Sequence, residues 1–162
     1  MKVQRVYIDT SVLGGCFDPE FAPWSNGLMK DFRLGNYNPI VSEMVAAEVK
    51  NAPEYVQSVY ADLIDLGAER LATNEQVVEL ANAYQDRSIL TPKYYDDGLH
   101  VALATVHEVD LIASWNFKHI VHYDKIRRFA AANIDLGYKP IQIHSPREVT
   151  NYEVITYEEA IR

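Results

Sequence analysis

Four oxygen-bearing residues far apart in the chain, Asp9, Glu48, Asp97 and Asn116, occupy positions from which one site can be built. Asp9 follows the apolar run Val3 to Ile8, and Asn116 comes just after Asp110 to Ser114; both runs have the composition of buried strands. Ligands of an open parallel sheet bind beyond the carboxyl ends of its strands, so the two residues are expected to face one crevice. Glu48 and Asp97 lie on helical patterns, and a fold that gathered all four would hold three carboxylates and one amide. Like charges about 4 Å apart repel by about 1 kcal/mol in water and by several times more in a drier pocket. A divalent cation is the natural compensation, and all-oxygen donors select a hard one, Mg2+ or Mn2+. Such an ion activates water and stabilises charge on a phosphodiester, which is what metal-assisted phosphoryl hydrolysis requires.

The elements that must carry these residues follow from periodicity. A strand over Val3 to Ile8 runs into a loop at Asp9-Thr10-Ser11 and Gly14-Gly15. Leu28 to Leu34 is helical and stops at Gly35, and Pro39-Ile40-Val41 is extended. Ser42 caps a helix with Glu43 at its positive end, Glu48 about one and a half turns in, and Asn51 and Pro53 beyond its close. Tyr55 to Leu66 keeps helical spacing, a short strand lies near Arg70 to Ala72, and Thr73 with Gln76 has capping-box spacing for the next helix. Asp96 and Asp97 open a helix whose apolar face is Leu99, Ala102, Leu103 and Val106. A strand at Asp110 to Ser114, a basic stretch from Lys118 to Arg128, a helix through Ala132 and a strand at Ile141 to Ile143 follow. Apolar strands alternating with helices predict an α/β fold: three layers, α/β/α, around a mainly parallel central sheet.

Plainer roles compete at each residue. Asp96 and Asp97 also complement a helix dipole, worth about 0.3 to 1 kcal/mol. Glu43 is the local rival of Glu48, Asp9 suits an Asx turn, and Asn116 suits a loop cap. His100, three residues beyond Asp97 and on nearly the same face, either contacts substrate, orients a carboxylate or is a satisfied structural histidine. His119 and His122 do not make a zinc set without cysteines or a third placed ligand. Lys118, His119, His122, Lys125, Arg127 and Arg128 form the best local basic patch for RNA phosphates, with a solvated helix face as the alternative.

At these residues the chain resembles the PIN domain family of metal-dependent ribonucleases, which includes the VapC-type toxins of bacterial toxin-antitoxin pairs. Val6-Tyr7-Ile8-Asp9-Thr10-Ser11-Val12-Leu13 looks like the opening strand and first acid, and Ser42 to Glu48 like the helix with the second. Asp97-Gly98-Leu99-His100-Val101-Ala102-Leu103-Ala104 is similar to the helix with the third, and Leu111-Ile112-Ala113-Ser114-Trp115-Asn116-Phe117 to the strand and turn of the fourth position. Each motif is short, but together they occur in the family's order over roughly residues 3 to 145. The resemblance implies a metal site at Asp9, Glu48 and Asp97 holding Mg2+ or Mn2+. It implies catalytic roles for these and Asn116, with Thr10 or Ser11 bonding Asp9 or a metal-bound water; with the helix face of His100 and the basic patch at Lys118, the residues expected near the substrate are Ser11, His100 and Lys118. It further implies an endoribonuclease that leaves a 5′-phosphate, a small antitoxin as partner, and a homodimer. Asn116 departs from the pattern, because many members have Asp there. An amide adds no negative charge, so a one-metal or weakly active enzyme is expected, and a non-catalytic module that binds RNA or protein is the alternative.

The chain's 162 residues fit one domain, assigned to residues 1–145 with a C-terminal extension over 146–162 that includes Tyr152 and Tyr157. With 15 Lys and Arg against 23 Asp and Glu, the net charge of −8 creates no overall field for polyanions. RNA must therefore meet local cations or metal. Cys16 is the single cysteine, so no intramolecular disulfide forms. The start MKVQRVYIDT lacks a secretory apolar stretch, and no run reaches the roughly 18 apolar residues of a membrane helix. A cytoplasmic protein with no membrane partner is expected. Two other phosphoryl chemistries fit poorly. A haloacid-dehalogenase-like phosphatase needs a second Asp where Ser11 stands, and no glycine-rich lysine motif of a P-loop follows the first strand.

Overall fold

A computed structural model describes residues 2–151. The strands β1 (Gln4–Ile8), β2 (Tyr37–Ser42), β3 (Glu69–Leu71), β4 (Leu111–Ala113) and β5 (Gln142–His144) form one sheet in the order β3-β2-β1-β4-β5, with every pair parallel. From β1 the chain first moves one way, through α1 (Thr10–Gly15) and α2 (Ala22–Arg33) to β2, then through α3 (Glu43–Lys50) and α4 (Glu54–Asp65) to β3. It then crosses back through α5 (Glu75–Asp86) and α6 (Tyr95–Val106) to β4 on the far side of β1, and through α7 (Tyr123–Asp135) to β5. Right-handed crossovers that step in opposite directions put their helices on opposite faces. Accordingly α5 packs on α6 and α7, while α1 packs on α2, α3 and α4. The result is the expected three-layer α/β/α sandwich. Its direction reverses between β1 and β4, which makes the crevice beyond those two strands the topological switch point.

Burial on both faces explains the strand sequences. Val6, Tyr7, Ile8, Val41, Ile112 and Ala113 are all fully buried, so these strands read as continuous apolar runs rather than as alternating ones. Where the crevice opens, the apolar run stops and polar atoms begin: Asp9 after β1, Ser42 at the end of β2 and Ser114 after β4.

Local chemistry corrects three expectations. The segment after Asp9 is not a loop but the helix α1, whose first turn closes when the Val12 amide donates to the Asp9 carbonyl at 3.2 Å. Gly15 is required there by crowding: a Cβ would stand 2.5 Å from Ser25 Oγ and 2.6 Å from Trp115 Nε1. The helix expected over Leu28 to Leu34 begins earlier, at Ala22, with Pro23 at a tolerated first-turn position. Finally, α5 is capped by Asn74 rather than Thr73. Asn74 accepts from the Val77 amide at 2.9 Å, while the Thr73 amide donates to Glu43 instead.

Residues 146–151 of the extension lie against the sheet's helical cover. A short helix, α8 (Pro146–Val149), meets α2. The buried Asp31 carboxylate accepts from the Thr150 hydroxyl at 2.8 Å and the Asn151 amide at 3.1 Å. Tyr152 and Tyr157 lie outside the described residues.

Candidate active site

Asp9 is held from two sides. The Ser11 hydroxyl donates to its Oδ1 at 2.5 Å, and the Ser114 hydroxyl reaches across from β4 to its Oδ2 at 2.6 Å. The side chain is only 5% exposed, so both hydroxyls replace water that the carboxylate has lost. Ser11 and Ser114 are themselves placed by the turn after β4, where the Trp115 amide donates to Ser11 Oγ at 3.0 Å and the Asn116 amide to Ser114 Oγ at 3.0 Å. Ser42, in extended conformation at the end of β2, caps α3 by accepting from the Val45 amide at 3.2 Å.

That cap starts α3 so that Glu48, rather than Glu43, turns to the crevice. Glu48 Oε1 lies 3.1 Å from His100 Nε2 and accepts from the Thr10 hydroxyl at 3.2 Å. Glu43 is drawn to the Thr73 amide. His100, at 3% exposure, has both ring nitrogens engaged, Nε2 with Glu48 and Nδ1 with the Tyr7 hydroxyl at 2.7 Å. Of the roles expected for it, orienting a carboxylate is the one its geometry performs, since no ring nitrogen is left for a substrate. The Tyr7 hydroxyl lies 2.9 Å from Ser42 Oγ. Glu48 only accepts, so Nε2 donates to it; with the imidazole neutral, a directional chain then runs Val45 N–H to Ser42, Ser42 O–H to Tyr7, Tyr7 O–H to His100 and His100 N–H to Glu48, and protonation of His100 reverses its bond with Tyr7.

Electrostatics follow from this wiring. Burial works to raise Glu48, but the His100 hydrogen bond and charge and the Thr10 hydroxyl outweigh it and hold the carboxyl below its usual range. For His100, burial disfavours the imidazolium, yet the bond to Glu48 and the charges of Asp9, Glu48 and Asp97 carry it above its ordinary value. Asp97 goes the other way. Burial pushes its carboxyl up and the Asp9 charge adds to that, against opposition from His119, an Asn116 hydrogen bond and His100. Asp9, Asp97, Asn116, His100 and Glu48 thus come together in one crevice from four separate stretches of chain.

Asn116 has a narrower part than a fourth ligand. Its amide oxygen accepts from the His119 backbone N–H at 3.0 Å and caps the turn that continues to Val121. The amide nitrogen is therefore the atom available to Asp97. Among the described residues no three His, Cys, Asp or Glu side chains converge as a metal-holding group. Glu48 is turned to His100, and both Asp9 oxygens take hydroxyl protons. What the crevice does present is a half-buried Asp97 facing the like charge of Asp9. This donor set fits Mg2+ or Mn2+, because such ions need only one or two protein carboxylates and complete their shells with water and phosphate oxygens.

The basic patch does not hold together. Lys125 donates to the Ile89 carbonyl at 2.6 Å, Arg127 and Arg128 pair with Asp124, and Arg128 reaches the Arg87 carbonyl. Lysine and arginine stems on α7 find nearer acceptors than the crevice, which leaves Lys118 as the exposed cation beside Asn116. His119 packs on Tyr94 with ring centroids 3.8 Å apart and the planes tilted by 31°.

The sequence reading passed over Ser114, Tyr7 and Trp115. A Ser closing an apolar strand just before Trp-Asn was the only signal for the first; the other two looked like core. No helix among the described residues is long and apolar enough to cross a membrane. Compared with known proteins, the chain matches no family model and no curated protein.

Proposed function

We propose that this protein is a Mg2+- or Mn2+-dependent endoribonuclease of the PIN type, acting in the cytoplasm as the toxin of a toxin-antitoxin pair. The observation that carries the catalytic part is the meeting of Asp9, Glu48, Asp97 and Asn116 at the β1/β4 switch point, from stretches up to 107 residues apart. The toxin role, the small antitoxin and the homodimer rest on the sequence resemblance alone. A bound cation supplies Lewis-acid stabilisation of charge on the scissile phosphodiester. Asp9 and Asp97 are the residues to hold it. The chain's own groups do the rest. Ser11 and Ser114 fix the Asp9 carboxylate in one orientation, and Asn116 restrains Asp97 without adding charge. Glu48, kept ionised by His100, is the group placed to accept a proton from a water attacking phosphorus, while the RNA 3′-oxygen departs and the 5′-phosphate remains.

Asn116 favours a second reading, a module that binds RNA or protein without cleaving, since its oxygen is already committed to the turn. Purified protein incubated with mixed single-stranded and structured RNAs separates the two. Cleavage with Mn2+ or Mg2+, abolished by chelator and by Asp9→Asn or Asp97→Asn, is expected. Metal-dependent cleavage that persists in Asp9→Asn refutes the mechanism, and failure to cut any RNA favours the binding module.

A further inference from the structure

Asp31, near the end of α2, carries a fully buried carboxylate, and a buried charge needs partners. They come from the turn before β2 and from the C-terminal extension. The Asn36 side-chain amide at 2.9 Å and the Asn151 side-chain amide at 3.3 Å donate to Oδ1, while the Thr150 hydroxyl at 2.8 Å and the Asn151 backbone N–H at 3.1 Å donate to Oδ2. The Tyr37 hydroxyl adds a bond to the Val149 carbonyl at 2.7 Å. Most of what satisfies Asp31 is therefore supplied by Thr150 and Asn151, and the chain is pinned to α2 where residues 152–162 begin.

Beside that pin runs a groove. Ala22, Pro23, Gly27, Lys30 and Arg33 recur at helical spacing and form one stripe along α2, with Pro19 at its far end and a volume of about 490 Å3, room for a few side chains. Gly27 adds no side chain to the floor and stands four residues before Asp31, hence on the neighbouring line of the helix. From Arg33 back to Ala22 the stripe is roughly 16 Å long at 1.5 Å per residue, which five or six residues at about 3.3 Å each can cover. Residues 152–162, YEVITYEEAIR, are long enough, and they supply apolar Tyr152, Val154, Ile155, Tyr157 and Ile161 with three glutamates against one arginine. The charges match: Lys30 and Arg33 line this groove, and among the described residues no Asp or Glu does. The groove on the other side of Arg33, between α2 and α4, has Cys16, Met29 and Leu63 but also Asp62 and Asp65, which repel an acidic segment.

We propose that residues 152–162 seat in the groove on the outer face of α2, in the same chain, with Asp31 anchoring their root. The α2 face is then closed to any partner that does not first displace the segment. This goes beyond the ribonuclease reading and stands without it. The test uses the full chain, 15N-labelled, with Cys16→Ala and a nitroxide on Ala160→Cys, a site that leaves all three glutamates in place. The nitroxide broadens the amide signals of Ala22 to Arg33 and spares α5 to α7 across the sheet. Arg33→Glu, at an exposed position, abolishes that broadening with the rest of the spectrum kept, and Thr150→Val, which removes one Asp31 donor, weakens it. Signals of α2 no more affected than the remaining surface overturn the proposal, as does broadening that Arg33→Glu leaves unchanged. Broadening centred on Val59, Leu63 and Leu66 overturns it by placing the segment in the α2–α4 groove. Mixing nitroxide-bearing chains without 15N with 15N chains that carry no nitroxide gives no α2 broadening; broadening there would assign the groove to a second copy and overturn the proposal too.

Discussion

Replacing Tyr7 with Phe removes one oxygen from a fully buried position and leaves the ring's packing in place. That oxygen is 2.7 Å from His100 Nδ1 and 2.9 Å from Ser42 Oγ. Ser42 keeps the Val45 amide as a partner, so its loss is one ordinary hydrogen bond, about 0.5 to 1.5 kcal/mol. His100 Nδ1 has no replacement in view, and a buried polar atom left unpaired costs about 1 to 3 kcal/mol. The two losses share one hydroxyl and do not simply add, so Tyr7→Phe is predicted to destabilise by about 2 to 3 kcal/mol. For a domain of this length the melting temperature falls by about 4 to 12 °C. Urea denaturation followed by far-UV circular dichroism gives the free energy directly. A cycle with Glu48→Gln adds a sharper criterion, because the two residues share no hydrogen bond and both bond His100. A Tyr7→Phe protein within about 0.5 kcal/mol of wild type, or a cycle with no coupling, would refute the directional chain.

The His100–Glu48 pair makes stability depend on pH. His100 is raised, so its contribution is complete below its ordinary 6.5 and disappears as pH rises through the folded value; Glu48 is lowered, so its contribution is complete above its ordinary 4.5 and disappears as pH falls through the folded value. The stability gap between wild type and Glu48→Gln is therefore widest between 4.5 and 6.5 and narrows on both sides; a gap that grows steadily toward alkaline pH contradicts the assignment. Gly98→Ala in α6 is expected to stabilise by about 0.5 to 1 kcal/mol, because the added methyl meets Leu90 Cδ1 at 3.4 Å and Tyr84 Cδ2 at 3.6 Å in ordinary contact; thermal melting that shows destabilisation would mean the α5–α6 packing is tighter than described. Asn116→Asp keeps an oxygen for the His119 amide but sets a charge against Asp97, so the protein without metal should melt lower and respond more steeply to Mn2+, as differential scanning fluorimetry can establish.

Legibility in the sequence followed the range of the interaction. Asp9 at a strand end, the Ser42 cap and the helix start at Asp97 are governed by neighbours within a turn, and the chain announces them. Glu48 and Glu43 were separable only by what each meets in space: His100, 52 residues away, for one and the Thr73 amide, 30 away, for the other. Ser114 and Tyr7 act across separations of 105 and 93 residues, and both sit where burial makes a polar atom look like filler in an apolar run. The basic stretch misled for the opposite reason. Its charge was visible, and so was Asp124, three and four residues before Arg127 and Arg128, but the Ile89 and Arg87 carbonyls that take Lys125 and Arg128 are fixed by the docking of α7. Gly14-Gly15 suggested a loop because glycine usually breaks helices; here Gly15 answers to Trp115, a hundred residues on.

Crystals soaked in Mn2+ and measured for its anomalous signal address the central claim most directly. A peak in the crevice, within coordination distance of Asp9 and Asp97 carboxylate oxygens and lost in Asp97→Asn, is the predicted result. A crevice that stays empty while the ion occupies other acidic surface would contradict it, because the buried Asp9 and half-buried Asp97 carboxylates would then be set against each other for some other purpose than to hold a cation.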